Sequence, residues 1–248
     1  MLRPKKKWGQ NFLRNRGAVE KIVAAVEPQP GEVLVEIGPG EGVLTEKLAG
    51  LGIPFTAIEI DPELAAKLRE RFGDVIVNED ALTAPLPGRP FRAIGNLPYN
   101  VGTPILRRII ADPNFRRAVF MLQKEVADRL VAKPADEPYG FLTLYTQVFA
   151  RARTLMTLEP GSFHPRPKVR SAVVVLDSDR KPYASEQLIE LISAAFRMRR
   201  KKLVNNLTGW HGLSREQVLD AMRRAEIGEN ARAEEISLDE FAGLVRGI

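Results

Sequence analysis

Residues 33–42 read Val33-Leu34-Val35-Glu36-Ile37-Gly38-Pro39-Gly40-Glu41-Gly42. The first five predict a buried strand, since a short apolar run closed by turn residues suits a strand covered on both faces. The glycines turn the chain, and residues 43–49 predict a helix ending near Gly50 or Gly52. The same unit recurs downstream. Residues 55–60 predict a second strand, and Asp61-Pro62-Glu63 starts a helix with Asp at the cap and Pro in the first turn. Leu64, Leu68 and Phe72 form its expected buried face. Further strands are expected at residues 75–77, 91–94 and 118–122, and helices at 103–110 and 123–132. Upstream, Val19, Ile22, Val23 and Val26 have helical spacing behind Asn15 as N-cap, and Pro28 and Pro30 end that helix. Residues 133–138 read as a polar loop, and residues 154–158 and 171–176 as late strands, a β-pair completing the sheet. This alternation predicts a doubly wound α/β domain.

The character changes at Asp177-Ser178-Asp179-Arg180-Lys181-Pro182, a polar linker. Short helices are expected beyond it at residues 186–196, 201–207, 215–225 and 238–245, two of them introduced by the capping-box pairs Ser214/Gln217 and Ser237/Glu240. The expected division is therefore 1–180, an N-terminal arm plus an α/β domain, and 181–248, a small all-helical domain.

Composition excludes several classes. Of 248 residues 44% are hydrophobic and 27% charged, which predicts a folded soluble protein. No apolar run approaches the ~18 residues of a membrane span. The basic N-terminus is not followed by an apolar segment, so it does not read as a secretory signal. Cysteine is absent, which removes disulfides, thiolate catalysis and Cys-ligated metal. The only histidines are His164 and His211, so no metal centre is expected, and the cytoplasm is the default compartment. Arg3, Lys5, Lys6, Lys7, Arg14, Arg16 and Lys21 face Glu20 alone within residues 1–21, a segment carrying the whole net charge of +6. Arg197, Arg199, Arg200, Lys201 and Lys202 form a second cluster. Each reads either as the electrostatic footprint of a polyanion partner or as a solvated tail or helix face. Trp8 and Phe12, interleaved with the first cluster, are not needed by a purely solvating tail.

Three polar features at successive strand ends suggest a nucleoside site. Glycines 38, 40 and 42 let the backbone approach a ligand ahead of a helix N-terminus, although their spacing is not the dinucleotide fingerprint. Glu59 ends the second strand, where a carboxylate can accept from both ribose hydroxyls. Asp80 follows the third, where it can accept from an adenine amine. The fourth strand runs into Ile94-Gly95-Asn96-Leu97-Pro98-Tyr99-Asn100. An amide, a backbone carbonyl extended by the following proline and an aromatic ring suit a planar base with an exocyclic amine. Taken alone, the tetrapeptide reads equally as a Pro-containing turn with a half-buried Tyr.

Glu36-Ile37-Gly38-Pro39-Gly40-Glu41-Gly42, Glu59-Ile60-Asp61, Asn78-Glu79-Asp80-Ala81-Leu82 and Asn96-Leu97-Pro98-Tyr99-Asn100 resemble, in order, the motifs of S-adenosylmethionine-dependent rRNA adenine N6,N6-dimethyltransferases. Lys6-Lys7-Trp8-Gly9-Gln10-Asn11-Phe12-Leu13 resembles their N-terminal motif, and Ser162-Phe163-His164-Pro165-Arg166-Pro167-Lys168-Val169 their last catalytic-domain motif. Phe196-Arg197-Met198-Arg199-Arg200-Lys201-Lys202-Leu203 with Asn206-Leu207 resembles the helical signature of the housekeeping small-subunit branch. The likeness runs from about Lys6 to Leu207. Arg197 and Met198 depart from it, standing where small or polar residues are common.

The resemblance implies a Rossmann-like class I S-adenosylmethionine-dependent methyltransferase domain followed by a helical RNA- and ribosome-contacting domain. It implies S-adenosyl-L-methionine as cofactor, bound by Gln10, Asn11, Leu13, Glu36, Gly38, Gly40, Glu59, Ile60, Asp80, Ala81 and Asn96. Asn96 and the Leu97 carbonyl would hold the target amine within the Leu97-Pro98 turn, with Tyr99 and Phe163 sandwiching the base. Lys5, Lys6, Lys7, Arg14, Arg166, Lys168, Arg199, Arg200, Lys201 and Lys202 would contact RNA. The implied reaction is dimethylation of N6 on adjacent adenosines near the 3′ end of small-subunit rRNA, by a monomer acting on a pre-30S particle. Alternatives are a large-subunit rRNA methyltransferase conferring antibiotic resistance and a ribosome-assembly binding factor in which catalysis is secondary. A DNA adenine methyltransferase fits less well, since its Asp-Pro-Pro-Tyr-like motif has proline where Leu97 stands. A hydride-transfer enzyme explains neither Asn96 nor the basic clusters.

Overall fold

The structure, a computed structural model, describes residues 10–248; Lys5, Lys6, Lys7 and Trp8 lie outside the described residues. Two compact units are formed. The first comprises residues 10–127 and 152–178, the second residues 128–151 and 179–248.

In the first unit, strand β1 is Phe12–Leu13 and helix α1 is Arg16–Ala24. Asn15 caps α1 as its spacing predicts, its side chain accepting the Ala18 N–H at 3.0 Å. The repeating units then follow: β2 Val33–Ile37, α2 Val43–Ala49, β3 Phe55–Ile58, α3 Pro62–Phe72, β4 Ile76–Val77, β5 Phe91–Asn96, α4 Gly102–Ala111, β6 Phe115–Gln123 and α5 Lys124–Val131. After α6 Phe141–Phe149, which belongs to the second unit, come β7 Ala150–Leu158, β8 Phe163–His164 and β9 Ser171–Ser178. The seven-stranded sheet has the order β4-β3-β2-β5-β6-β9-β7. β4, β3, β2, β5 and β6 are parallel, and β9 runs antiparallel to β6. The late strands are neighbours, as expected.

This order fixes where a ligand can enter. From β2 the chain winds outward through β3 and β4, then returns to place β5 on the other side of β2. The topological switch therefore lies between β2 and β5, where doubly wound sheets open a crevice at their carboxyl ends. The seam is tight. A Cβ on Gly95 would stand 2.3 Å from the Ile37 carbonyl oxygen, so only glycine lets the strands pair there. The middles of the central strands are buried and mostly apolar: Leu34, Val35, Ala93, Ile94, Val119 and Phe120 are at most 2% exposed.

Two features lie beyond the sequence-based expectation. β1 pairs with β8 as a separate two-stranded sheet, with Phe12 opposite His164 and Leu13 opposite Phe163. Residues 128–151 cluster with the helical unit rather than with the α/β unit expected to hold everything to residue 180. Helix α6 explains the difference. It is buried along Leu144, Tyr145, Val148 and Phe149 and packs on α7 Glu186–Ala195 and α10 Leu238–Gly247. Just before it, the Tyr139 hydroxyl donates to the Ile236 carbonyl at 2.7 Å.

Helices α8 Leu203–Leu207 and α9 Arg215–Arg224 complete the second unit. Both expected capping boxes form, at Ser214/Gln217 and Ser237/Glu240. Among the described residues no helix is long and apolar enough to cross a membrane.

Candidate active site

A cleft opens at the switch point. Its walls bring together the turn after β2 (Gly38, Pro39, Gly40, Glu41), the residues just past β3 (Glu59, Ile60), the segment after β4 (Glu79, Asp80, Ala81), and the last residue of β5 with the turn behind it (Asn96, Leu97, Pro98, Tyr99). Gln10, Asn11, Phe12 and Leu13 cross it from the arm. Thus the residues expected at successive strand ends do line one cavity, together with Val101, Ile105 and Met121, which sequence reasoning did not select.

Glu59 is held from both sides. Its Oε2 accepts the Gly40 N–H at 3.0 Å and its Oε1 the Asp61 N–H at 2.9 Å. The carboxylate so bridges the glycine turn and the start of α3. Burial raises its pKa, while these N–H donors pull the other way. Asp80 Oδ1 accepts the Leu82 N–H at 2.8 Å, leaving Oδ2 to face other partners.

The arm is tied across the cleft at several points. Gln10 Nε2 donates to Asp61 Oδ2 at 3.1 Å. The Phe12 ring lies against Gly40, where an added Cβ would stand 2.9 Å from it. Arg14 pairs with Glu41 at 2.7 Å, and its N–H donates to the Ser162 carbonyl at 2.7 Å. Most telling is Asn96, whose Nδ2 donates to the Asn11 carbonyl at 2.6 Å. That bond orients the amide and leaves Oδ1 as the acceptor. Leu97 is held by its N–H to the Met121 carbonyl at 3.0 Å. The Pro98 carbonyl accepts from Val101 and Gly102, closing the turn at the head of α4. The Tyr99 hydroxyl is 2.8 Å from Ser171 Oγ, and burial raises its pKa. The ring is therefore pinned at its far end to the first residue of β9.

Two expected site residues stand elsewhere. Phe163 is 4% exposed and does not line the cleft. Opposite Leu13 in the β1–β8 pair, it belongs to the apolar core with Ile94, Val119 and Val173, so the sandwich with Tyr99 is not assembled here. Glu36 does not line the cleft either. Strand alternation turns it away from the side that Ile37 presents, and it is fully buried behind the glycine turn. Neither of its carboxyl oxygens makes a hydrogen bond of good geometry, and Thr45 is near enough only for a weak one. Burial pushes its pKa up to about 8; nearby Thr45 opposes the shift and the Glu59 charge adds to it.

The basic residues divide by what already engages them. Arg199 donates to the carbonyls of Glu137 at 2.7 Å and Tyr139 at 3.0 Å, and Lys202 Nζ to Asn230 Oδ1 at 2.6 Å. Arg14 pairs with Glu41, as above. Arg166, Lys168, Arg200 and Lys201 are exposed.

Known proteins resemble this chain over nearly its whole length. A family described as ribosomal RNA adenine dimethylase matches residues 1–248. The chain is 44% identical to "Ribosomal RNA small subunit methyltransferase A" of Methylococcus capsulatus, with 98% of this chain and 97% of that one covered. It is 40% identical to the protein of the same name from Geobacter metallireducens, over 100% and 96% of the two chains. In three dimensions it resembles a dimethyladenosine transferase from Plasmodium falciparum (TM-score 0.82, 24% identity, 94% and 95% covered), a likeness of fold. It also resembles the 23S rRNA methyltransferase ErmE (TM-score 0.73, 28% identity, 96% and 99% covered).

Proposed function

The chain belongs to the ribosomal RNA adenine dimethylase family, and from that premise we propose that it transfers methyl groups from S-adenosylmethionine to N6 of adenosines in small-subunit rRNA, giving N6,N6-dimethyladenosine. The observation that carries this reading is the single cleft joining the Glu59 and Asp80 carboxylates to the oriented Asn96 amide. The small-subunit assignment follows the names of its relatives along with the Arg199-Arg200-Lys201-Lys202-Leu203 segment. The finer assignment is to adjacent adenosines near the 3′ end, in a pre-30S particle, by a cytoplasmic monomer.

The cleft's residues fit the cofactor. Gly38 and Gly40, both at positive φ, make a turn without side chains at the cleft wall, where the cofactor's amino-acid end would lie. Glu59 presents a carboxylate for the ribose hydroxyls, and Asp80 Oδ2 for the adenine amine. When bound, the cofactor supplies a methyl group activated by a sulfonium centre.

The chain's own part is to orient the nucleophile. An adenine amine is a poor nucleophile because its lone pair is delocalised into the ring. Hydrogen bonds from its two N–H groups to Asn96 Oδ1 and the Leu97 carbonyl favour a more pyramidal nitrogen and aim the lone pair into the cleft. The Asn11 carbonyl, by fixing Asn96 Nδ2, ensures that oxygen rather than nitrogen faces the amine. Little general-base catalysis is needed, because the methylated nitrogen becomes acidic and loses its proton afterwards. Catalysis thus rests on alignment and electrostatics, worth roughly 7 kcal/mol or more in the best cases. After one transfer a single N–H remains, and a methyl group must fit beside Asn96.

A stacked base cannot reach this turn, so the target must be splayed out. Stacking on Tyr99 then offsets the lost base stacking. Phe163 becomes the second face only if the β1–β8 pair yields. Exposed Arg166, Lys168, Arg200 and Lys201 hold surrounding phosphates.

Purified protein incubated with labelled S-adenosylmethionine and immature small subunits should place label on N6 of adenine. Absence of methylated adenine on any rRNA would refute the enzymatic reading. Label confined to large-subunit RNA would move the assignment to the resistance class.

A further inference from the structure

The adenine end of the cleft rests on an irregular segment. Residues 78–90 join β4 to β5 without a helix or strand of their own and include Pro85, Pro87 and Pro90. A long irregular connection inside a compact domain holds a functional carboxylate in place only if something anchors it. Part of the order is local: the Asp80 carbonyl accepts the Thr83 and Ala84 N–H groups at 2.9 and 2.8 Å. These bonds shape the turn but do not tie it to the rest of the domain.

The flanks of the segment are tied by Asn78 Nδ2 donating to the Glu59 carbonyl at 2.7 Å and Asn114 Nδ2 to the Pro87 carbonyl at 3.4 Å. Arg108 supplies the tie at the turn itself. It projects from α4, whose Ile105, Leu106, Ile109 and Ile110 are buried and fix the helix to the sheet. Its Nη1 donates to the Ala81 carbonyl at 2.9 Å and its Nη2 to the Ala84 carbonyl at 2.5 Å. Ala81 and Ala84 are themselves 8% and 3% exposed, and Ala81 lines the cleft next to Asp80. A guanidinium is a rigid planar fork of donors, so two bonds to two carbonyls set both the distance and the tilt of the turn. A lysine ammonium at the same place would fix distance alone.

We propose that Arg108 is a positioning residue for cofactor recognition, holding the Ala81–Ala84 turn so that Asp80 meets the six-position of the purine. The proposal rests on reading this cleft as the S-adenosylmethionine site. It makes discrimination at that position, and not simply affinity, depend on a residue that touches no part of the ligand. A site built to pair with an N–H rejects an analogue lacking it, because its own polar group is left unpaired.

The test compares S-adenosylhomocysteine with S-inosylhomocysteine, whose purine carries a six-oxo group, by titration calorimetry. Wild type should prefer the adenosyl ligand by about tenfold or more. Arg108→Met should weaken the adenosyl ligand about tenfold while changing the inosyl ligand less than about twofold, so that the preference collapses; Arg108→Lys should lie between. Adding Arg108→Met to Asp80→Ala should cost less than about twofold more. If Arg108→Met melts below the assay temperature, Arg108→Lys alone decides, by whether its preference falls. A preference kept by these variants, or an equal loss for both ligands, overturns the proposal. Failure of wild type to bind either ligand would instead overturn the cofactor reading of the cleft.

Discussion

Asn96 carries an amide whose two ends do opposite work, and the fold commits one of them. With Nδ2 given to the Asn11 carbonyl, Oδ1 is left as an acceptor, which the proposed function assigns to the target amine. Replacing Asn96 by Ala should cut methyl transfer by about 10²–10³-fold, typical for loss of one preorganised polar group. Cofactor affinity, measured by calorimetry, should largely survive, because Glu59 and Asp80 remain; near-normal turnover would refute the amine-holding role. Glu36 makes a different prediction. Its folded pKa, about 8, lies above the ordinary 4.5, so the folded protein keeps a proton that the unfolded chain gives up. Glu36 therefore favours folding below the unfolded value, and this is lost as pH rises from about 4.5 through about 8. Glu36→Gln keeps a neutral group at all pH values. In urea unfolding it should flatten that decline, and its gain over wild type should be largest near and above pH ~8. An unchanged pH slope would show that Glu36 is ionised in the fold.

The elements around the site act as clamps. β9 begins at Ser171, and the bond between its Oγ and the Tyr99 hydroxyl fastens the β5 turn to the far side of β6. A phenylalanine would stack on a base as well as a tyrosine, so the hydroxyl has a positioning task. Tyr99→Phe and Ser171→Ala should each weaken RNA substrate binding, and the double variant should be little worse than either. The coupling expected from one partly buried hydrogen bond is about 1 kcal/mol; strictly additive losses would remove the positioning role. The repeating strands and helices were legible because each carries its own period and caps. α6 was not: it begins at Gly140 without a side-chain cap from that residue, and much of its face is buried, so its amphipathic signature is weak. β1 and β8 span two residues each, too short for any alternation to show, and only their pairing defines them.

For the whole molecule, charge separates affinity from chemistry. The exposed Arg200 and Lys201 should act on RNA through phosphates. Replacing either by Ala should weaken binding similarly for methylated and unmethylated RNA, and reduce the slope of log affinity against log salt by about 1. Arg199→Ala should instead lower the melting temperature, because its guanidinium holds the Glu137 and Tyr139 carbonyls. A binding loss for Arg199→Ala matching that for Arg200→Ala, without a stability change, would reverse this division.

Legible in the chain are the strand–helix alternation of a doubly wound domain and the polar residues Glu59, Asp80 and Asn96 at successive strand ends. Those features reside in local apolar runs, caps and motif spacing, which a chain carries wherever it folds. Long-range contacts alone set which end of the Asn96 amide is committed and turn Phe163 into the core. They alone place residues 128–151 with the helical unit and bring Arg108 to the Asp80 turn. Each of these depends on partners distant in sequence, and local propensity says nothing about which distant groups will meet.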